Sequence, residues 1–142
     1  MQDWITSILV AIFVFLGSMH FYWSFGGNWG SDSAIPQLEL EGRPAFLPGV
    51  FSTFVIGLAF WFTAAWVLGF SQIYPSPLGH RAHRVGLILV GAVFVLRSIG
   101  EFRYVGFFKK VKGTKFAYWD SRIYSPLCLL IGFLSFYLSF SY

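Results

Sequence analysis

His20, Glu101 and Asp120 are the acid–base candidates in a chain with few charges, and Arg97 and Arg103 are the fixed cations that accompany them. An imidazole exchanges protons near neutral pH, and a carboxylate can do so where its surroundings raise its pKa. A guanidinium holds phosphate or carboxylate through paired N–H donors. Tyr22, Trp23 and Tyr104 add aromatic surface beside these groups. Together they describe a pocket for an amphipathic ligand: His20, Glu101 and Asp120 to move protons, Arg97 and Arg103 to hold an anionic head, aromatics to line the tail.

Each group also has a plainer role. Arg97 and Glu101 are spaced to share one helix face with Tyr104 and Phe108, so an ion pair could simply let that helix continue. Arg before Glu is the weaker order for such a pair. His20 can be satisfied by a neighbouring helix, with Glu101 as a partner. Asp120, upstream of Pro126, either caps the last helix or joins Arg97 or Arg103. Tyr22, Trp23 and Trp29 suit interfacial anchoring. His80 and His83 stand beside Arg81 and Arg84 without a nearby carboxylate or cysteine, a weak metal pattern, so no metal is expected.

The elements that carry these residues follow from composition. Of 142 residues, 56% are hydrophobic, 22% aromatic and only 11% charged. A soluble domain carries about 25% charged residues, and the mean hydropathy of +0.66 agrees with a membrane protein. The formal charge of +4 sits beside apolar runs, where headgroups and topology explain it without nucleic acid. Cys128 has no partner for a disulfide. Residues 1–142 read as a single transmembrane domain, all-α, a four-helix bundle with interfacial loops on one face. The expected spans are 4–25, 47–70, 84–107 and 124–140. The first lacks the basic flank and cleavage site of a signal peptide and reads as retained.

Gly26, Gly27 and Gly30 end the first span, Pro48 opens the second, and Ser125-Pro126 reads as the cap and first residue of the fourth. The third is the awkward one. Val85 to Leu96 is an uncharged run of twelve residues, roughly 18 Å of helix against a core of about 30 Å. The segment stays apolar beyond Arg97, so the helix is expected to continue through Glu101 towards Phe107. Gly49, Thr53 and Gly57 form a small-residue stripe for helix packing. Glu39 to Gly42 suggests a short hairpin or a lid, and Lys109, Lys110, Lys112 and Lys115 read as headgroup contacts.

Connectivity places the ends of spans one and three and the starts of two and four at one membrane face, so the polar residues converge there. That face holds seven basic residues (Arg43, Arg103, Lys109, Lys110, Lys112, Lys115, Arg122) against Arg81 and Arg84 opposite. The positive-inside rule puts it in the cytoplasm and both termini outside.

His20-Phe21-Tyr22-Trp23 with Gly26, Gly27 and Gly30, the Arg97 to Arg103 segment, and Phe116, Asp120 and Ser125-Pro126-Leu127 together resemble a family of small bacterial four-span membrane proteins catalogued as a domain of unknown function. The resemblance implies the four-helix architecture and the bacterial cytoplasmic (inner) membrane. No phosphate loop, dinucleotide glycine pattern, nucleophile motif or zinc signature is present, and no cofactor is expected. Three functional classes stay open. The first is binding, with or without modification, of an amphipathic anionic lipid or small molecule. The second is a proton-linked transporter or channel working as a homodimer, and the third a structural or accessory membrane protein.

Overall fold

The computed structural model describes residues 2–38, 42–69 and 79–141. Among them the chain is all-helical, with four segments long and apolar enough to cross a membrane. The helices are α1 (Gln2–Ser24), α2 (Ser31–Ala34), α3 (Val50–Leu68), α4 (Gly79–Ile99), α5 (Lys115–Trp119) and α6 (Ser125–Phe140). A π-helical turn, Asp120–Tyr124, joins α5 to α6 into one continuous rod.

The long helices pack mainly as two pairs, α1 against α3 and α4 against α6. Each pair crosses where two glycines meet. A Cβ on Gly17 would lie 2.9 Å from the Gly57 carbonyl oxygen, and one on Gly91 would lie 3.1 Å from that of Gly132. Between apolar helices in lipid there is no hydrophobic drive to associate, so close van der Waals approach must hold them. The Gly57 stripe read from the sequence therefore has a counterpart in the other pair. Leu9, Phe13, Val67, Leu87, Ile131 and Leu138 fill the space between the pairs, fully buried. Large apolar side chains such as Phe51, Phe62, Leu89 and Phe133 cover the outside.

The end of α1 behaves as expected. Gly26 takes the left-handed conformation (φ 93°), Gly26 N–H donates to Trp23 O and Gly27 N–H to Tyr22 O. This is the Schellman arrangement that glycine favours after a last turn. Pro48 does not open the second helix. Gly49 is its N-cap, and its carbonyl accepts from Ser52 Oγ and Thr53 Oγ1.

The third helix corrects the reading from sequence. It runs Gly79–Ile99 and stops there, so Glu101, Arg103 and Phe107 are not helical. Its 21 residues span about 31 Å, and the missing length is supplied at the other end by Gly79 to Arg84. The stop is set by glycine. Gly100 has φ 89° and donates to Leu96 O, and Phe102 is also left-handed at φ 68°. The chain folds back so tightly that a Cβ on Gly106 would sit 2.5 Å from Gly100 Cα. A side chain at either position would block the turn.

The fourth span also begins earlier than expected. Thr114 is the N-cap, its hydroxyl oxygen accepting from Ala117 N–H at 3.0 Å. Ser125 is helical and uncapped, with its N–H donating to Asp120 O in a π-type bond. Proline within a helix lacks a donor and crowds the carbonyl four residues earlier. The wider turn just before Pro126 absorbs that defect and sets Asp120 at its start.

Around the loop expected to form a hairpin or lid, Leu38 N–H donates to Arg43 O and Ala45 N–H to Pro36 O, with an antiparallel bridge between Gln37 and Pro44. Glu39, Leu40 and Glu41 lie outside the described residues. Gln37 Oε1 accepts from Lys115 N–H at 3.1 Å, which ties this loop to the start of α5.

Candidate functional site

The polar residues separate into two places. The first is a buried knot around Asp120, whose side chain is fully enclosed. Arg97 Nη2 donates to Oδ1 at 3.0 Å, and Lys109 Nζ donates to Oδ2 at 3.0 Å. Gly106 N–H donates to Oδ2 at 2.9 Å. Lys109 completes its three donors on Gly106 O (2.9 Å) and Ser121 Oγ (2.6 Å). A buried carboxylate is tolerated only when paired and hydrogen-bonded, and here both conditions are met.

The expected Arg97–Glu101 helical pair does not form, because the helix ends between them. Glu101 instead accepts from the backbone N–H groups of Tyr104 and Val105, closing the turn after α4. Arg103 is exposed and lies over the Tyr104 ring, 5.1 Å from its centroid. Asp120 thus joins the cluster with Arg97 rather than capping a helix. Lys109 was missed by sequence reasoning. It stands among four lysines of similar spacing, and only the fold makes it 3% exposed instead of a headgroup contact. The one available signal was indirect, since an Asp buried within a helical bundle demands cations from somewhere.

The second place is a groove of about 640 Å³ between α1, the loop containing α2, and residues 115–124. His20 and Trp23 form its α1 wall near the end of the helix, and Phe15 and Leu16 lie further back along it. Trp29, Trp119, Ile123 and Tyr124 complete it. Phe15 and Trp23 are separated by about 12 Å along the helix, so the groove runs lengthwise along the C-terminal part of α1. Its exposed rim carries Lys115, which donates to Asp32. That ammonium holds the Asp32 carboxyl below its ordinary value of 3.8.

His20 is fixed within this wall. Its Nδ1–H donates to Leu16 O at 2.7 Å, and its ring packs against Trp23 and Phe60 at centroid distances of 5.2 Å. A carbonyl can only accept, so the neutral ring keeps Nε2 as its acceptor nitrogen. Trp23 Nε1–H donates to Trp29 O at 2.8 Å, and Trp29 N–H points to Tyr22 Oη at 3.4 Å. These bonds set the aromatic wall. His20 and Trp23 also line a second cavity of about 390 Å³ against Pro48 and Thr53, so they partition two spaces. No hydrogen bond or ion pair among the described residues joins His20 to the Asp120 knot.

On the opposite face His83 Nδ1–H donates to Trp66 O at 3.1 Å, linking α3 to α4. Among the described residues no three His, Cys, Asp or Glu side chains gather to hold a metal ion.

These features define a small all-α bundle whose four long helices can cross a membrane, with a locked ionic knot and a separate aromatic groove. The chain belongs to the family described as "Protein of unknown function (DUF3995)", whose model matches residues 13–135 and so includes all the segments on which the resemblance was drawn. No curated protein and no solved structure matches the chain.

Proposed function

We propose that this protein binds an amphipathic small molecule or lipid in the His20–Trp23 groove, tail inward along Phe15, Leu16 and Ile123, polar end at His20, Lys115 and Asp32. The observation that carries this reading is a roomy cavity walled by aromatic and aliphatic side chains, with one histidine of fixed tautomer among them. Ligand sites are characteristically apolar, concave and furnished with few oriented polar groups. Asp120 and Glu101 are engaged in holding the fold, so the groove supports binding more than acid–base turnover. Arg97 and Arg103, the cations whose chemistry suits an anionic head, do not line it. Its rim is an ion pair, which suits a polar or zwitterionic head better than a dianion.

The reading includes the bacterial cytoplasmic membrane, with the loops after α1 and α4 inside and both termini outside. Setting aside Lys109 and Lys115, which the fold employs in ion pairs, five basic residues still face Arg81 and Arg84. Trp23, Trp29 and Trp119 provide a direct test. A brominated single-chain amphiphile added to the protein in unbrominated micelles should quench fluorescence saturably near one equivalent. A Trp23→Phe/Trp29→Phe/Trp119→Phe variant should lose that component. Quenching that never saturates, or survives in the variant, would remove the groove from consideration.

A further inference from the structure

The other flank of α5 carries a further concavity, of about 290 Å³, lined by Lys109, Lys112, Thr114, Tyr118, Ser121 and Arg122. No carboxylate lines it. Lys112 and Arg122 are exposed, and neither forms an ion pair among the described residues. Arg122 sits over the Tyr118 ring with Cζ 3.8 Å from the centroid, a cation–π contact that holds the guanidinium at the pocket before any ligand arrives. Behind it the knot holds two cations, buried Lys109 in the wall and partly exposed Arg97 beyond it, against one carboxylate, a local excess of positive charge.

Two hydroxyl groups in the lining can act as donors. Ser121 Oγ accepts from Lys109 and Thr114 Oγ1 accepts from Ala117 N–H, so both hydroxyl protons remain for a ligand. The helix N-terminus itself is not the source. Lys115 and Phe116 N–H donate to Gln37 Oε1, Ala117 N–H to Thr114 Oγ1, and Tyr118 N–H to Thr114 O. Tyr118, which lines the concavity, is exposed, an aromatic side chain of the kind that favours the membrane–water boundary.

From this convergence we infer that the Lys112–Ser121–Arg122 pocket binds an anionic phosphate group, carried by a lipid headgroup or by a soluble phosphate ester. This site is independent of the groove: α5 and the π turn lie between them, and their linings share no residue. Guanidinium and ammonium supply charge-assisted bonds, and the two hydroxyls supply neutral ones.

The test uses the full chain in micelles. In one arm native mass spectrometry compares retention of phosphatidic acid with phosphatidylcholine. In the other, calorimetry follows inorganic phosphate. Arg122→Gln and Lys112→Gln are compared with Lys110→Gln, which removes the same charge from an exposed lysine outside the lining. A wild-type preference for phosphatidic acid that falls about ten-fold in Arg122→Gln, and less than two-fold in Lys110→Gln, assigns the site to a lipid. Phosphate heat that is lost only in the pocket variants, without lipid preference, assigns it to a soluble ester. Equal losses in Lys110→Gln and Arg122→Gln, or no loss in either arm, would overturn the inference.

Discussion

Asp120 answers to two cations and a backbone amide, and removing its charge would leave Arg97 and Lys109 facing each other without a counterion. Breaking a buried pair from one side costs roughly 3–5 kcal/mol. Asp120→Asn should therefore melt far below the wild type in detergent. Arg97 is a third exposed, and Asp120 would keep Lys109, so Arg97→Gln should cost less and leave the groove intact. Equal melting temperatures for wild type and Asp120→Asn would show that the knot does not hold the fold. At the rim, Lys115 lowers the Asp32 pKa, so the clasp is in place above 3.8 and is lost as pH falls through the folded value. Ligand retention should step down in acid for the wild type, and Asp32→Asn should show no such step.

At the scale of elements, glycine placement decides more than hydropathy does. Gly91 and Gly132 permit a backbone approach that Gly91→Val would obstruct, because a Cβ there already meets the Phe136 ring at 2.9 Å. Overpacking of this kind costs about 1–3 kcal/mol, readable as a lowered melting temperature. The four spans and the first helix stop were legible because apolar runs and Gly26 act locally. The end of α4 was not. Residues 99–108 are apolar enough to continue a helix, and the turn at Gly100 is stabilised by contacts with Gly106 and Glu101 that only the folded loop brings together. Ser125-Pro126 misled for a related reason, since a π turn lets a helix pass through a proline that sequence rules read as a start. Connectivity brought Arg97 and Asp120 to one face but left open whether Asp120 caps the last helix or pairs with Arg97 or Arg103, which the fold resolves in favour of Arg97. Lys109 and the separation of His20 from the knot depend on loop packing, which periodicity does not record.

For the whole molecule, two glycine-crossed helix pairs form the bundle, an ionic lock ties the end of α4 and the following loop to the start of the last span, and the two candidate ligand sites flank α5. Its orientation is testable in a Cys128→Ser background. Lys110→Cys should react with an impermeant maleimide in inverted membrane vesicles and not in intact spheroplasts; the opposite pattern would reverse the topology. The central claim is that the ligand occupies the groove and the knot only holds the bundle. The most direct measurement is native mass spectrometry of mildly solubilised protein, comparing wild type, Met19→Trp, which fills the groove, and Arg97→Gln. A defined co-purifying amphiphile on wild type and Arg97→Gln, absent from a folded Met19→Trp, is the predicted result. The same species on Met19→Trp, lost from a folded Arg97→Gln, would contradict it.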